Sequence, residues 1–421
     1  LPENFAMPHE TISNALSSAY NDVWLVAGVR TPFADYQGML SEVSPTDLGI
    51  FAARQIFAKS GVPASDVGSV IGGNMAQSSF DAYYLPRHIG LYSGVPLGTP
   101  ALLVHRLCGT GFETILTAAD QIALGKTNLV LCVGAESMSR NPVAAYTHRS
   151  GFRMGQIEFK DFLWESTLDT ASDTRMGDTA ENLATKYGIT REEVDRFAEE
   201  SFGRAVAGWE KGYFDGEVER VTSQQWTLDG YKPRGLKLPR KIEHFSKDEH
   251  VRSTPYSVLE KLRPAFGGVQ TGGNSSAIVD GAAAVLVASG DYVRTHGLRP
   301  LARIVAGSTV GVPPEIMGIG PAPAIRAVLQ KAGLSLSEIK RFEINEAFGA
   351  QYLAVEKELG LDRSQVNRHG GSIAIGHPLA ASGVRLTTTL ARQLNQDDQQ
   401  FGISSACAGG GQGIAILLER A

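Results

Sequence analysis

Ala101-Leu102-Leu103-Val104-His105-Arg106-Leu107-Cys108-Gly109-Thr110-Gly111 is an apolar run that ends on a cysteine among small, turn-forming residues. A segment rich in small residues, Phe112 to Leu124, follows it. The pattern predicts a buried strand over 101–107, a break at Cys108-Gly109 and a helix over 112–124. A side chain at such a break is placed where strand gives way to helix, with the positive end of the helix facing it.

Further units of the same kind extend in both directions. Asp22 to Gly28, Val67 to Gly73 and Asn128 to Gly134 read as buried strands, and Thr46 to Lys59 as a helix with an apolar face. Beyond residue 300 the order returns. Pro300–Val305 is a strand, Ala322–Ala332 a helix, Arg341–Ile344 a strand and Ala347–Leu359 a helix. Ser382–Leu394 is then a helix, with Phe401–Ser405 and Ile414–Leu418 as strands. In this alignment Cys108 and His377 occupy matching turn-into-helix positions, and Val70-Ile71-Gly72-Gly73-Asn74 matches Phe342-Glu343-Ile344-Asn345-Glu346. The sequence therefore predicts two duplicated α/β halves, residues 22–290 and 291–421, each with a mixed five-stranded sheet, stacked in layers. Residues 140–263 are charged and aromatic and too long for an ordinary loop. They read as an inserted loop domain within the first half, with one amphipathic helix over 191–211 capped by Thr190 and Glu193. Gly281–Ser289 reads as a last buried strand returning to the first half.

Composition narrows the class. A length of 421 residues and 43% hydrophobic content suffice for ordinary cores, and a net charge of -5 argues against nucleic acid as partner. Three cysteines, an odd number without CxxC spacing, predict neither a disulfide framework nor a metal site, and suit a reducing compartment. No apolar run approaches the length of a membrane span. Leu1 to Tyr20 holds two acids and no lysine or arginine. It resembles neither a secretory signal nor an arginine-rich transit peptide, which predicts a cytoplasmic enzyme. The opening at Leu1, with Met7 inside, suggests a processed leader, and this stretch carries no functional weight.

Reactive side chains recur in glycine settings. Cys108 lies beside Gly109 and Gly111, His377 between Gly376 and Pro378, and Cys407 before Gly409-Gly410-Gly411. Glycine lets a backbone approach a substrate closely and turn its N–H groups inward. Two cysteines and a histidine so placed point to thiol chemistry, in which one thiolate attacks, the histidine activates it and the second thiol moves protons. A helix N-terminus and a neighbouring histidine are expected to lower the Cys108 pKa toward neutrality. Asn345, at a strand end in Asn345-Glu346-Ala347-Phe348, can cap a helix or hold a water against a carbonyl. Cys132 lies inside an apolar strand and reads as core. His105 and His369, near the motifs, read as no more than supporting groups.

Leu107-Cys108-Gly109-Thr110-Gly111, Asn345-Glu346-Ala347-Phe348, Gly376-His377-Pro378 and Cys407-Ala408-Gly409-Gly410-Gly411 together resemble, in order, the four signature blocks of the thiolases, the acetyl-CoA acetyltransferase and 3-ketoacyl-CoA thiolase family. Weaker likenesses lie at Gly28–Pro32, Gly134–Ser139, Met176–Asn182 and Leu262–Phe266, so the resemblance runs from about Asp22 to the C-terminus. It implies a thiolase-like fold and ping-pong acyl transfer between CoA thioesters: two acetyl-CoA, or acyl-CoA plus acetyl-CoA, condense to 3-ketoacyl-CoA, or the reverse thiolysis occurs. It implies that Cys108 takes the acyl group and His377 its proton, and that Cys407 moves the proton of the incoming acetyl-CoA methyl. A water held by Asn345 would form one oxyanion hole with His377, and the N–H groups of Cys108 and Gly409 the other. Ser276 would lie near the pantetheine arm and Arg252 near the nucleotide end of CoA, with Met176, Phe266, Ala347 and Phe348 lining the substrate site. Coenzyme A and acetyl-CoA enter as substrates, and no bound cofactor or metal is implied. The segment 140–161 resembles a tetramerising loop, so a homo-oligomer, dimer or tetramer, is expected.

Departures from the family pattern fall at Arg175, Ala277, Val279 and Ala380, which bear on acyl-chain preference. The alternative is a decarboxylating ketoacyl-synthase-type condensing enzyme, which would pair its cysteine with two histidines or with histidine and asparagine. Cys407 in the second basic position argues against it. A non-catalytic CoA-binding module would lack one of the three reactive residues. A nicotinamide dehydrogenase would carry GxGxxG after the first strand, which is absent here.

Overall fold

The computed structural model describes residues 14–146 and 148–421. The reading of Leu1–Tyr20 therefore falls mostly outside the described residues. In chain order the principal strands are β1 (Leu16–Ala19), β2 (Val23–Arg30), β3 (Ala34–Asp35), β4 (Ser69–Gly73), β5 (Ala101–Val104) and β6 (Leu129–Glu136). They continue with β7 (Val279–Ser289), β8 (Ala302–Gly311), β9 (Arg341–Ile344), β10 (Phe401–Ala408) and β11 (Gln412–Arg420). The longer helices are α1 (Pro45–Ser60), α2 (Leu85–Tyr92), α3 (Thr110–Ala123), α4 (Met176–Tyr187), α5 (Arg191–Glu210), α6 (Pro321–Ala332), α7 (Gly349–Leu359) and α8 (Leu379–Gln396).

The duplication is visible in the strand pairing. The first half runs β5-β4-β6-β7-β2 and the second β9-β10-β11-β8, with β1 added beside β8. β4 is parallel to β6 as β9 is to β10, and the next two pairings in each half are antiparallel. The two sheets are not separate, however. β8 meets β2 at Ala302↔Leu25 and Arg303↔Trp24, so all eleven strands belong to one hydrogen-bonded ladder. Exposed backbone at two sheet edges would be open to stray pairing, and joining the halves there removes one edge from each.

α3 and α8 form the central layer. α8 packs on strands of both halves, and α3 packs on β4, β6 and β7. Their backbones touch. A Cβ on Gly111 would lie 2.6 Å from the Ala380 carbonyl oxygen, and one on Gly383 2.3 Å from the Phe112 nitrogen. Only glycine permits that approach. α1 and α2 cover the outer face of the first sheet and α6 that of the second. With helices on both faces, β7 buries ten of its eleven residues, consistent with its small apolar sequence Val-Asp-Gly-Ala-Ala-Ala-Val-Leu-Val-Ala-Ser.

The insertion carries the expected capping box, Thr190 with Glu193, at the start of α5. A buried ion cluster pins it to the first half: Arg30 Nε donates to Glu217 at 2.7 Å and its Nη1 to Asp248 at 2.6 Å. Such a cluster fixes position more than it adds stability, because all three charges were taken from water.

Several boundaries differ from the sequence reading. The strand expected over 101–107 ends at Val104, because Leu107–Gly109 turns as a short 3₁₀ segment and α3 starts at Thr110. α8 starts at Leu379 rather than Ser382, and α7 at Gly349 rather than Ala347. β10 runs on through Cys407 to Ala408, so Cys407 is a strand residue and the glycines after it form the tip of a hairpin. Gly410 and Gly411 have φ of 73° and 79°, the left-handed pair of a tight hairpin turn. Among the described residues no helix is long and apolar enough to cross a membrane.

Candidate active site

Leu107 is the strained residue of the molecule's first signature block, with φ of 49°. That left-handed turn, unusual for a branched side chain, reverses the chain between β5 and α3 and leaves Cys108 at its outer corner. Thr110 holds the corner: its Oγ1 accepts from the Arg106 N–H at 2.8 Å and donates to the Leu107 carbonyl at 2.6 Å. Cys108 is partly exposed, whereas Cys132 and Cys407 are buried.

The other sequence-predicted groups come to this corner from the second half. The 107–109 turn packs on both β10 and α8. The hairpin tip at Gly409 lies against this turn, and its backbone N–H, with that of Cys108 itself, pulls the Cys108 pKa down. Cys407 lies close enough to feel a charge on Cys108. It sits in a small apolar cluster with Met317 and Ala347, bordered by Met176 and Phe348. The Asn345 N–H donates to the Ser405 carbonyl, two residues before Cys407, at 2.9 Å. Asn345 Nδ2 in turn lies 3.3 Å from His377 Nε2. The Cys108 turn, the Gly409 hairpin tip and Cys407 thus adjoin one another, and the Asn345–His377 pair is tied to the same strand through Ser405.

The lining residues also gather. Ser276 N–H donates to the Ala347 carbonyl at 3.0 Å, and Ser275 bridges Phe348. His377 N–H donates to Ala277, the next residue, at 3.0 Å. Phe266 packs edge-on against Phe348, with ring centroids 6.3 Å apart, and covers Gly177 beside Met176. Arg252 is not drawn in. It is exposed, and its described contacts are with His250 and the Phe202 ring. His105 is exposed, and His369 stacks on Tyr213 away from this cluster. Cys132 is core, its sulfur 3.3 Å from the Thr114 carbonyl.

The expected depression of the Cys108 pKa is not seen. Burial pushes its thiol up to about 11, against the pull of its own N–H and that of Gly409. Burial, with Cys108 nearby, also raises Cys407. His377 is pushed down to about 3, by burial first and the Arg385 cation second. The resting pair is therefore neutral thiol and neutral imidazole, since desolvation outweighs the helix end and the N–H groups.

Sequence reasoning missed some of the participants. Ser382 Oγ lies 2.6 Å from His377 Nδ1, and Ser372 Oγ donates to Asn345 Oδ1 at 2.6 Å. Ser382 has a signal in hindsight, as a polar residue among alanines one turn into α8. Glu136 had none. Its buried carboxylate accepts from Asn74 Nδ2 and the N–H groups of Met75, Ala76 and Ala380, tying α8 to the first half. Met317 enters from a short 3₁₀ turn with no motif. Among the described residues no His, Cys, Asp and Glu group has the geometry of a metal site.

The arrangement can support nucleophilic attack by Cys108, proton movement at His377 and Cys407, and stabilisation of an oxyanion by N–H groups. The family model for the thiolase N-terminal domain matches residues 23–291, and that for the thiolase C-terminal domain matches 298–420. The chain is 44% identical over 401 residues to the mitochondrial 3-ketoacyl-CoA thiolase of Bos taurus, covering 94% of this chain and 98% of that one. It is 40% identical over 403 residues to beta-ketothiolase BktB of Cupriavidus necator, covering 95% and 99%. The crystal structure of human mitochondrial 3-ketoacyl-CoA thiolase in complex with CoA superimposes with a TM-score of 0.90 at 43% identity, over 96% of this chain and all of that chain.

Proposed function

The chain belongs to the thiolase family, and on that premise we propose that its Cys108 pocket carries ping-pong acyl transfer between CoA thioesters. The enzyme is an acyltransferase that joins acyl-CoA and acetyl-CoA to 3-ketoacyl-CoA, or cleaves the product with CoA. One observation carries the site assignment: the hairpin tip at Gly409, from the second half, packs against the Cys108 turn of the first half, with Cys407 beside it. A thioester carbonyl held over Cys108 would place its developing oxyanion near the His377–Asn345 pair. Cys108 attacks, its proton passes to His377, and CoA leaves as the thiol with the proton of Cys407, which becomes a thiolate. In the second half-reaction the Cys407 thiolate removes a methyl proton from acetyl-CoA, the carbanion attacks the acyl-enzyme, and the departing Cys108 thiolate takes back the proton held by His377. A Cβ on Gly409 would meet the ends of the Leu107 and Met176 side chains at 3.3 and 3.4 Å, so this tip is closely packed against both.

The decarboxylating alternative is disfavoured because Cys407, not a second histidine, stands in the second basic position. A thiolysis assay across 3-ketoacyl-CoA substrates of rising chain length tests the reading and fixes the preferred chain. Turnover of malonyl thioesters with release of carbon dioxide, and none of 3-ketoacyl-CoA with CoA, would overturn it.

The same proposal includes the division at about residue 290, with 140–263 inserted in the first half, and a homo-oligomer. Among the described residues β5 ends the sheet with no strand on its outer side, and Phe80, Tyr83, Tyr84, Leu97 and, on β5 itself, Leu102 are exposed. An open edge beside exposed apolar side chains is suited to a second copy. Val143, Tyr146, Met154, Phe159 and Trp164 expose a further apolar stretch on the 140–165 segment, which supports a dimer of dimers. Mass in solution decides between dimer and tetramer. Cytoplasmic residence, suggested by the polar Leu1–Tyr20, is tested by fractionating cells that express the full chain, with mitochondrial recovery as the opposing result.

A further inference from the structure

A buried file of hydrogen bonds runs from a guanidinium to the imidazole of His377, and the donor at its arginine end orders the bonds that follow. Arg385 is 1% exposed and held by Glu343, and its Nη2 donates to Ser372 Oγ at 3.3 Å. An arginine can only donate. The Ser372 hydroxyl hydrogen is thus directed elsewhere, and Asn345 Oδ1 receives it at 2.6 Å. The reverse orientation of the Asn345 amide would leave that hydroxyl hydrogen without its acceptor. Asn345 Nδ2, a donor, therefore faces His377 Nε2 at 3.3 Å. Nε2 must accept, so in the neutral ring the proton is on Nδ1. Nδ1–H meets Ser382 Oγ at 2.6 Å, and the Ser382 hydroxyl passes its own hydrogen to the Pro378 carbonyl at 3.3 Å.

We propose that Ser382 and Ser372 are positioning residues that set the tautomer of His377, leaving Nε2 bare to take the Cys108 proton. Ser372, Ser382 and Asn345 are fully buried and His377 is 4% exposed, so water does not readily replace either hydroxyl. The opposite tautomer would present Nε2–H to the thiol and could not accept its proton. Once Nε2 is protonated, it and Asn345 Nδ2 become two donors side by side, which suits them to a shared anionic oxygen. The assignment goes beyond the thiolase reading but rests on His377 acting as base in it.

The test is 15N NMR of histidine-labelled enzyme, with the His377 signals identified by difference against His377→Gln. The resting enzyme is expected to show protonated Nδ1 and bare Nε2; the reverse pattern overturns the proposal without any serine variant. In Ser382→Ala the tautomer preference should weaken. Acetyl transfer to Cys108 should slow roughly 10–100-fold, the usual consequence of an unpaired buried donor, with KM changed less than about twofold. Ser372→Ala should give a smaller loss of the same kind, since it frees only the Asn345 amide. An unaltered tautomer and acetylation rate in both variants would refute the positioning role. Should the parent itself fail to take an acetyl group from acetyl-CoA, the thiolase reading fails, while the tautomer result still stands or falls on its own.

Discussion

The two halves share a strand order but not an active site. β4 and β6 begin by pairing Ser69 with Val130, and β9 and β10 by pairing Arg341 with Gly402; matching these first pairs puts Gly73 where Asn345 stands and Ala135 where Cys407 stands. Cys108 and His377 occupy the two matching turns before α3 and α8. On the roles proposed above, the first half contributes the nucleophile and no base, and the second contributes three of the four reactive groups. The reason is steric. A Cβ on Gly134 would lie 2.0 Å from the Ala380 carbonyl, and one on Gly73 2.4 Å from the Thr110 methyl. Where the second half has room for reactive side chains, the first has backbone and helix. A duplicated fold thus becomes a one-sided catalyst by filling in one of two equivalent corners.

That contrast is broken most severely at Cys108. Cys108→Ala should abolish acyl-enzyme formation, because no other partly exposed thiol is present among the described cysteines. Radiolabelled acetyl-CoA is the check, and labelling equal to the parent would remove Cys108 from its role. Cys407→Ser should instead split the half-reactions. Acetylation should persist while carbon–carbon bond formation falls by roughly 10²–10⁴, the contribution of a positioned acid–base group. Exchange of acetyl-CoA methyl hydrogens with deuterated water should fall in parallel, and exchange at the parent rate would assign the base to another group.

The steric account can be sharpened by substitution at equivalent positions. Gly134→Ala drives a methyl into backbone that cannot give way, and should cost about 3 kcal/mol or more. Its counterpart in β10 is Ala406, where Ala406→Gly should cost only about 1 kcal/mol. Denaturant midpoints of the two variants measure the difference, and near-equal losses would mean that the two corners are equally open.

The smallest effect concerns acid stability, which we assign to the second half. Burial first, then Arg368, depresses His369 to about 4, from an ordinary value of 6.5. Between those values the unfolded chain binds the proton and the folded chain does not. Stability from this group is complete above about pH 6.5 and is lost as pH falls toward 4. His369→Phe keeps the stack on Tyr213 and should flatten the decline by about 2 kcal/mol, allowing for its partial exposure. Unfolding free energies at pH 7.5 and 5 test this, and a slope equal to the parent's would refute it.

Much of this was legible in the chain. Alternating apolar runs and glycine-bounded turns gave both halves, the central strand β7 and helix α5, because those signals are local. The four motifs contain every group to which the proposed chemistry is assigned. The seam between β2 and β8 was not legible, since two paired residues at a sheet edge leave no pattern. The extent of β10 was misread because glycines after Cys407 suggested a loop, whereas they turn a hairpin. Ser372, Arg385 and Glu136 were missed because their roles depend on partners up to 244 residues away in sequence. The pKa of Cys108 was misjudged because desolvation depends on packing that no motif displays.

The position of β7 has a kinetic consequence. It lies between β6 and β2, yet it follows β6 only after the whole insertion, so Glu136 pairs with Gly281 across a very long stretch of chain. The entropy of closing such a loop grows only logarithmically with its length, so the equilibrium penalty is modest. Rates respond differently, because non-local pairings slow the search for the native topology. A polypeptide ending before Val279 would own the nucleophile and its turn but lack the strand at the centre of the sheet beneath them. The reactivity of Cys108 is thereby tied to the late arrival of residues that never touch a substrate.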